Sequence, residues 1–92
     1  MTVAGRLATE VMRKTTPKGQ DLAILKLAVP LENHTTRYET ILVFGARVPG
    51  VLDFQTGDPV ECVGYVHERQ VTGQDGKTRT KRELYATLVR AR

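Results

Sequence analysis

Apolar and polar residues alternate with a period of two along most of this chain. That period, and not the 3.6 of a helix, predicts strands with one buried face. In Asp21–Pro30, Leu25, Leu27 and Val29 fall on one side and Ile24, Lys26 and Ala28 on the other. In Arg37–Gly45, Glu39, Ile41 and Val43 share the face assigned to the core, and Tyr38, Thr40, Leu42 and Phe44 share the opposite one. Val60, Cys62, Gly64 and Val66 line one side of a further strand, against Glu61, Val63, Tyr65, His67 and Arg69. A last strand near Glu83–Arg90 places Leu84, Ala86 and Leu88 together. The first strand starts at Thr2 and runs, bent at Gly5 or Ala8, toward Lys14.

The breaks between these runs carry turn chemistry. Pro17-Lys18-Gly19 combines a preset φ with a residue that tolerates positive φ. Leu31–Thr36 is a polar loop, Gly57-Asp58-Pro59 leads into a strand, and Gly73-Gln74-Asp75-Gly76 is the tip of a long hairpin. Only Ala46–Gln55 can hold a helix, and Pro49-Gly50 limits it to a turn or two beginning near there. No internal repeat, low-complexity stretch or linker interrupts the pattern. The expected fold class is all-β: a five-stranded OB-fold β-barrel with a short helical segment between strands 3 and 4. Five strands also suit an SH3-like barrel; the position of the helical segment favours the OB-fold.

Size and composition narrow the reading. Ninety-two residues make one domain, 1–92, with a modest core. No apolar run is long enough to span a membrane, and MTVAGRLATE lacks the basic-then-apolar order of a signal peptide. A single cysteine, Cys62, forms no internal disulfide, which fits a reducing, cytoplasmic setting. Fourteen Lys and Arg against ten Asp and Glu leave a formal charge of +4, a weak pointer to a polyanion. The distribution is sharper: Lys77, Arg79, Lys81, Arg82, Arg90 and Arg92 are opposed, from Lys77 onward, only by Glu83. Such clustering suits either a solvated hairpin or a phosphate backbone.

Several fragments, in order, resemble the bacterial single-stranded DNA-binding protein family. Gly5-Arg6-Leu7 resembles its first-strand G-x-L. Thr16-Pro17-Lys18-Gly19 followed by Leu25-Lys26-Leu27-Ala28-Val29 resembles its turn and second strand, P-x-G then F-x-L-A-V. Thr36–Gly45, TRYETILVFG, resembles T-x-W-x-x-V-x-x-F-G. Gly57-Asp58 with Val60-Glu61-Cys62-Val63-Gly64 resembles G-D-x-V-x-V-x-G, and Asp75-Gly76-Lys77-Thr78-Arg79 resembles D-G-x-x-R. Tyr38 stands where the family has a tryptophan, and Val71 where another often sits. The family's acidic-tipped tail has no counterpart before Arg92, so the expectation is a tailless relative or a chain whose tail has been removed. PriB, the primosomal replication protein, represents a related tailless OB-fold family. Phe44-Gly45 and Asp75-Gly76 favour the single-strand binders over it.

The resemblance implies binding of single-stranded DNA without strong sequence preference in replication, repair or recombination. It also implies a homodimer or homotetramer, replication or repair proteins as partners, and a cytoplasmic, nucleoid-associated location. The alternatives are a PriB-like role and an OB-fold module that binds protein.

Single-strand binding requires π faces for bases and cations for phosphates. Tyr38 and Phe44 lie six residues apart on one strand and so share its outer face, and Tyr65 falls on the outer face of the fourth strand. The same rings could instead pack at a subunit interface or under a loop. Tyr85 suits the interior or an interface as readily as a ligand, and Phe54 suits the core. The phosphate candidates are Lys14, Lys18, Lys26, Arg37, Arg47, His67, Arg69, Lys77, Arg79, Lys81 and Arg82, as a group rather than singly. His34 and His67 are isolated, metal spacing is lacking, and the chain has no serine for a G-x-S-x-G nucleophile. The expectation is therefore a binding protein and not an enzyme, with no catalytic residues, no metal and no cofactor.

Overall fold

The structure, a computed structural model, describes residues 1–92. It is all-β with one short helix: β1 (Thr2–Leu7), β2 (Met12–Thr15), β3 (Asp21–Pro30), β4 (Thr36–Phe44), a 3-10 helix (Gly45–Val51), β5 (Pro59–Thr72) and β6 (Thr78–Ala91). The strands pair in the order β1-β5-β6-β4-β3-β2, and β3 also pairs with β1, so five of them close on one another in a ring. All pairings are antiparallel except β4 with β6. No helix is long and apolar enough to cross a membrane.

The alternation read in the sequence sets the inward face. Val3 and Leu7 of β1, Ala23, Leu25 and Leu27 of β3, Ile41 and Val43 of β4, Val60 and Cys62 of β5 and Leu84 of β6 form one buried cluster. Val48 and Val51 of the 3-10 helix join it. Their spacing of three residues is one turn of a 3-10 helix, so both side chains point the same way. The helix begins at Gly45, earlier than Pro49-Gly50 suggests, because Gly45 supplies the positive φ of 65° that turns the chain out of β4. The ring closes where β1 crosses β3. A Cβ on Gly5 would stand 2.4 Å from the Ala28 carbonyl oxygen, so only glycine allows that approach.

Two expectations about the strands need correcting. The first strand is not continuous to Lys14; it stops at Leu7 and restarts as β2 at Met12, giving six strands instead of five. The break lets the chain leave β5 and lie along β3: the Ala8 amide donates to the Lys26 carbonyl at 2.7 Å, and Met12–Thr15 then pairs with Asp21–Ile24. The two ionised groups of Arg13 and Asp21 join this short pair, and the guanidinium holds the Asp21 carboxyl below its ordinary range.

Leu88 does not share a face with Leu84 and Ala86. Val63 pairs with Leu88 but Gly64 pairs with Ala86, so Thr87 is an extra residue, a β-bulge. Its hydroxyl donates to the Val63 carbonyl at 3.1 Å. The bulge turns Leu88 outward and brings Val89 against the core instead.

Beyond the core, β5 and β6 continue as a two-stranded arm. Every residue from Tyr65 to Arg82 is exposed. The tip is the expected turn, with the Gly73 amide donating to the Lys77 carbonyl at 3.0 Å and Gly76 at a φ of 75°.

Candidate nucleic-acid interface

Cross-strand neighbours share a face of a sheet, so the register alone assembles the outer surface of β2-β3-β4-β6-β5. Lys14 lies beside Leu22, and Leu22 beside Phe44. In the next row Met12, Ile24, Leu42, Tyr85 and Tyr65 follow one another across all five strands. Lys26 lies beside Thr40, Ala28 beside Tyr38, and Arg69 beside Lys81. This is the face opposite Ile41, Val43 and Leu25, as the parity of β4 predicts.

Four rings meet on it. Tyr85 is the hub: Phe44 packs edge-on at 5.3 Å between centroids, Tyr65 edge-on at 5.5 Å, and His67 stacks at 4.7 Å with 27° between planes. Edge-to-face pairs at such distances are the favoured aromatic geometry. The result divides the rings by role. Tyr65 and Tyr38 remain 58% and 59% exposed and keep open π faces. Phe44, expected to be exposed, is half-buried against Tyr85, and Leu42 is buried although it lies on the outer face. Tyr38 stands apart from the cluster, with the Lys26 ammonium 5.7 Å from its ring centre.

Tyr85 is the residue that sequence reasoning left undecided. Its position one residue after Leu84, a core residue on the same strand, was the available signal for the outer face. His67, expected as a phosphate contact, is a ring in the stack.

The cations separate into free and paired. Lys14, Lys18, Lys26, Lys77, Lys81 and Arg82 have no carboxylate partner. Lys14, Lys26 and Lys81 lie on the aromatic face, Lys18 in the β2–β3 turn and Lys77 at the arm's tip. Arg82 is on the other side of the arm, with a guanidinium nitrogen 3.6 Å from the Met1 sulfur. Arg47 lies on the 3-10 helix and donates to the Thr87 carbonyl at 2.8 Å, beside the bulge.

Arg79 pairs with Asp75 at 3.3 Å, Arg37 with Glu39 at 2.8 Å, and Arg69 with Glu83 at 3.0 Å. Arg37 follows the parity of Glu39 and Ile41, so it lies on the opposite side of β4 from Tyr38. Arg69 stays on the aromatic face, next to a carboxylate that is itself buried. No three His, Cys, Asp or Glu side chains gather closely enough to hold a metal ion.

Compared with protein-family models and with curated proteins, the chain matches none.

Proposed function

We propose that this chain is an OB-fold barrel that binds single-stranded DNA without strong sequence preference, as its resemblance to the bacterial single-strand binders implies, and that it is not an enzyme. The observation that carries the reading is the single outer face on which two open tyrosine rings and a His67–Tyr85 stack lie among unpaired lysines. Unpaired bases offer π faces to such rings, and the phosphates between them meet Lys14, Lys26 and Lys81. A duplex buries its base faces and leaves these rings nothing to stack on.

The test is a titration of oligo-dT against duplex of equal length. At least tenfold tighter binding of the single strand supports the reading, and equal binding points to a general basic surface. The rival that such a titration separates is a protein-binding OB-fold; a PriB-like protein, which also binds single strands, would pass the same test.

We propose in addition that the chain assembles as a homodimer or homotetramer. Thr2–Ala4 pairs with β5 alone, leaving its other edge open to a second strand. A monomer mass by light scattering at micromolar concentration contradicts this.

A further inference from the structure

Arg69 and Glu83 form a pair whose burial is lopsided. The Glu83 side chain is 4% exposed, whereas that of Arg69 is 52% exposed. The Arg69 Nε–H donates to Glu83 Oε1 at 3.0 Å, and no other hydrogen bond is made by this guanidinium. Of the five N–H groups that arginine carries, the four on its Nη atoms are thus left without a partner in the protein. They lie on the aromatic face, two residues along β5 from His67, about 7 Å at strand spacing.

Two consequences follow from elementary chemistry. The carboxylate cancels the guanidinium charge, so the pair has little net attraction for a phosphate and little counterion to release. The carboxylate also holds Nε, which fixes the plane of the guanidinium and leaves the two Nη atoms as a forked donor beside the rings. A forked donor fits two adjacent acceptors. Guanine presents such a pair, N7 and O6; adenine presents N7 next to an amino group, which repels a donor. The two purines stack equally well, so the fork distinguishes what the rings cannot.

We infer that Arg69, positioned by Glu83, reads a base edge rather than a phosphate and gives the single-strand site a preference for guanine over adenine. This rests on the single-strand reading above. The Arg37–Glu39 pair has the same chemistry on the opposite side of β4, away from the exposed rings, and supplies an internal control.

The experiment uses dT strands of about eight nucleotides, within the range of one OB-fold site, carrying one central guanine, 7-deazaguanine or adenine. The wild-type chain binds the guanine strand about tenfold more tightly than the adenine strand, as one bidentate contact provides. The 7-deazaguanine strand, which lacks N7, falls between them.

Arg69→Lys keeps the charge beside Glu83 and loses the fork: the preference drops below about twofold and the salt dependence is unchanged. Arg37→Lys retains the preference. Should Arg69→Lys fail to fold, the double variant Arg69→Met/Glu83→Gln, which buries no unpaired charge, is read instead and also loses it.

Equal binding of guanine and adenine strands by the wild-type chain overturns the inference while leaving single-strand binding intact. So does an Arg69→Lys variant that weakens all strands alike. If no single strand binds at all, the reading beneath the inference falls, and the inference falls with it.

Discussion

The carbonyl oxygen of Tyr85 occupies the place where a side chain on residue 64 would begin: a Cβ on Gly64 would stand 2.0 Å from it. No real Cβ contact is that short, so β6 must move if residue 64 is anything but glycine. Gly64→Ala is therefore expected to cost about 3 kcal/mol or more, the upper range for overpacking. Chemical denaturation with a matched m-value measures it. Because the moving backbone carries the hub ring, weakened single-strand binding should accompany the loss. A native melting temperature for this variant would show that the contact relaxes without cost.

The exposed and half-buried rings should respond differently to truncation. Tyr38→Ala and Tyr65→Ala each remove an open π face, and each should weaken oligo-dT binding by about 1–3 kcal/mol with little change in melting. Tyr85→Ala removes the partner of three other rings and should lower both affinity and melting temperature. Phe44→Ala should act mainly on stability, because that ring is half-buried and touches the hub edge-on. Melting and titration of the same four proteins separate the two classes. A large melting loss in Tyr38→Ala would remove that ring from the site.

Salt dependence should distinguish free cations from paired ones. Lys26 and Lys81 have no carboxylate partner and share a face with the rings. Lys26→Ala and Lys81→Ala should each reduce the slope of log affinity against log salt by about 0.7, the value per phosphate for single strands. Arg79→Ala should reduce it less, since Asp75 already offsets that charge. Affinities measured between about 50 and 200 mM salt decide the matter. An undiminished slope in both lysine variants would place the strand elsewhere.

Burial pushes the Cys62 thiol up to about 12, with Glu61 adding to the shift. An exposed thiol ionises near 8.5, so the unfolded chain releases this proton first. Stability from this group is thus complete below about pH 8.5 and is lost as pH rises toward 12. Native protein at pH 8 should react with a thiol reagent only at the rate of its opening, whereas unfolded protein should react at once. Fast labelling of the native state would show the thiol to be accessible.

The inward faces of β3 and β4 were legible in the sequence because both strands are long, alternate cleanly and end at turn residues. Glu39 could be placed on the core face by parity alone, although nothing in the sequence says that Arg37 accompanies it. The break between β1 and β2 was legible only as a bend at Gly5 or Ala8, since Ala8-Thr9-Glu10-Val11 contains neither proline nor glycine and the chain merely changes partners there. The bulge at Thr87 was equally silent. One inserted residue shifts Leu88 and Val89 without altering composition, and its only cue, Gly64, lies on the neighbouring strand. The Tyr85 hub and the Arg69–Glu83 pair depend on contacts between strands, which periodicity does not encode. The cations were identifiable as a group, but their division into free and paired was not.

The ring of strands has one narrow seam. β4 and β6 are joined through only Ile41 with Leu84 and Leu42 with Tyr85, whereas β3 lies along β4 for nine residues and β5 along β6 for most of its length. Phe44 on one side of that seam touches Tyr85 on the other. A base resting on this cluster would act as a clasp across the joint, so occupancy and closure would reinforce each other. Amide hydrogens of Ile41, Leu42, Leu84 and Tyr85 would then exchange more slowly in the bound chain, and the same clasp would be the first thing lost when the chain begins to open.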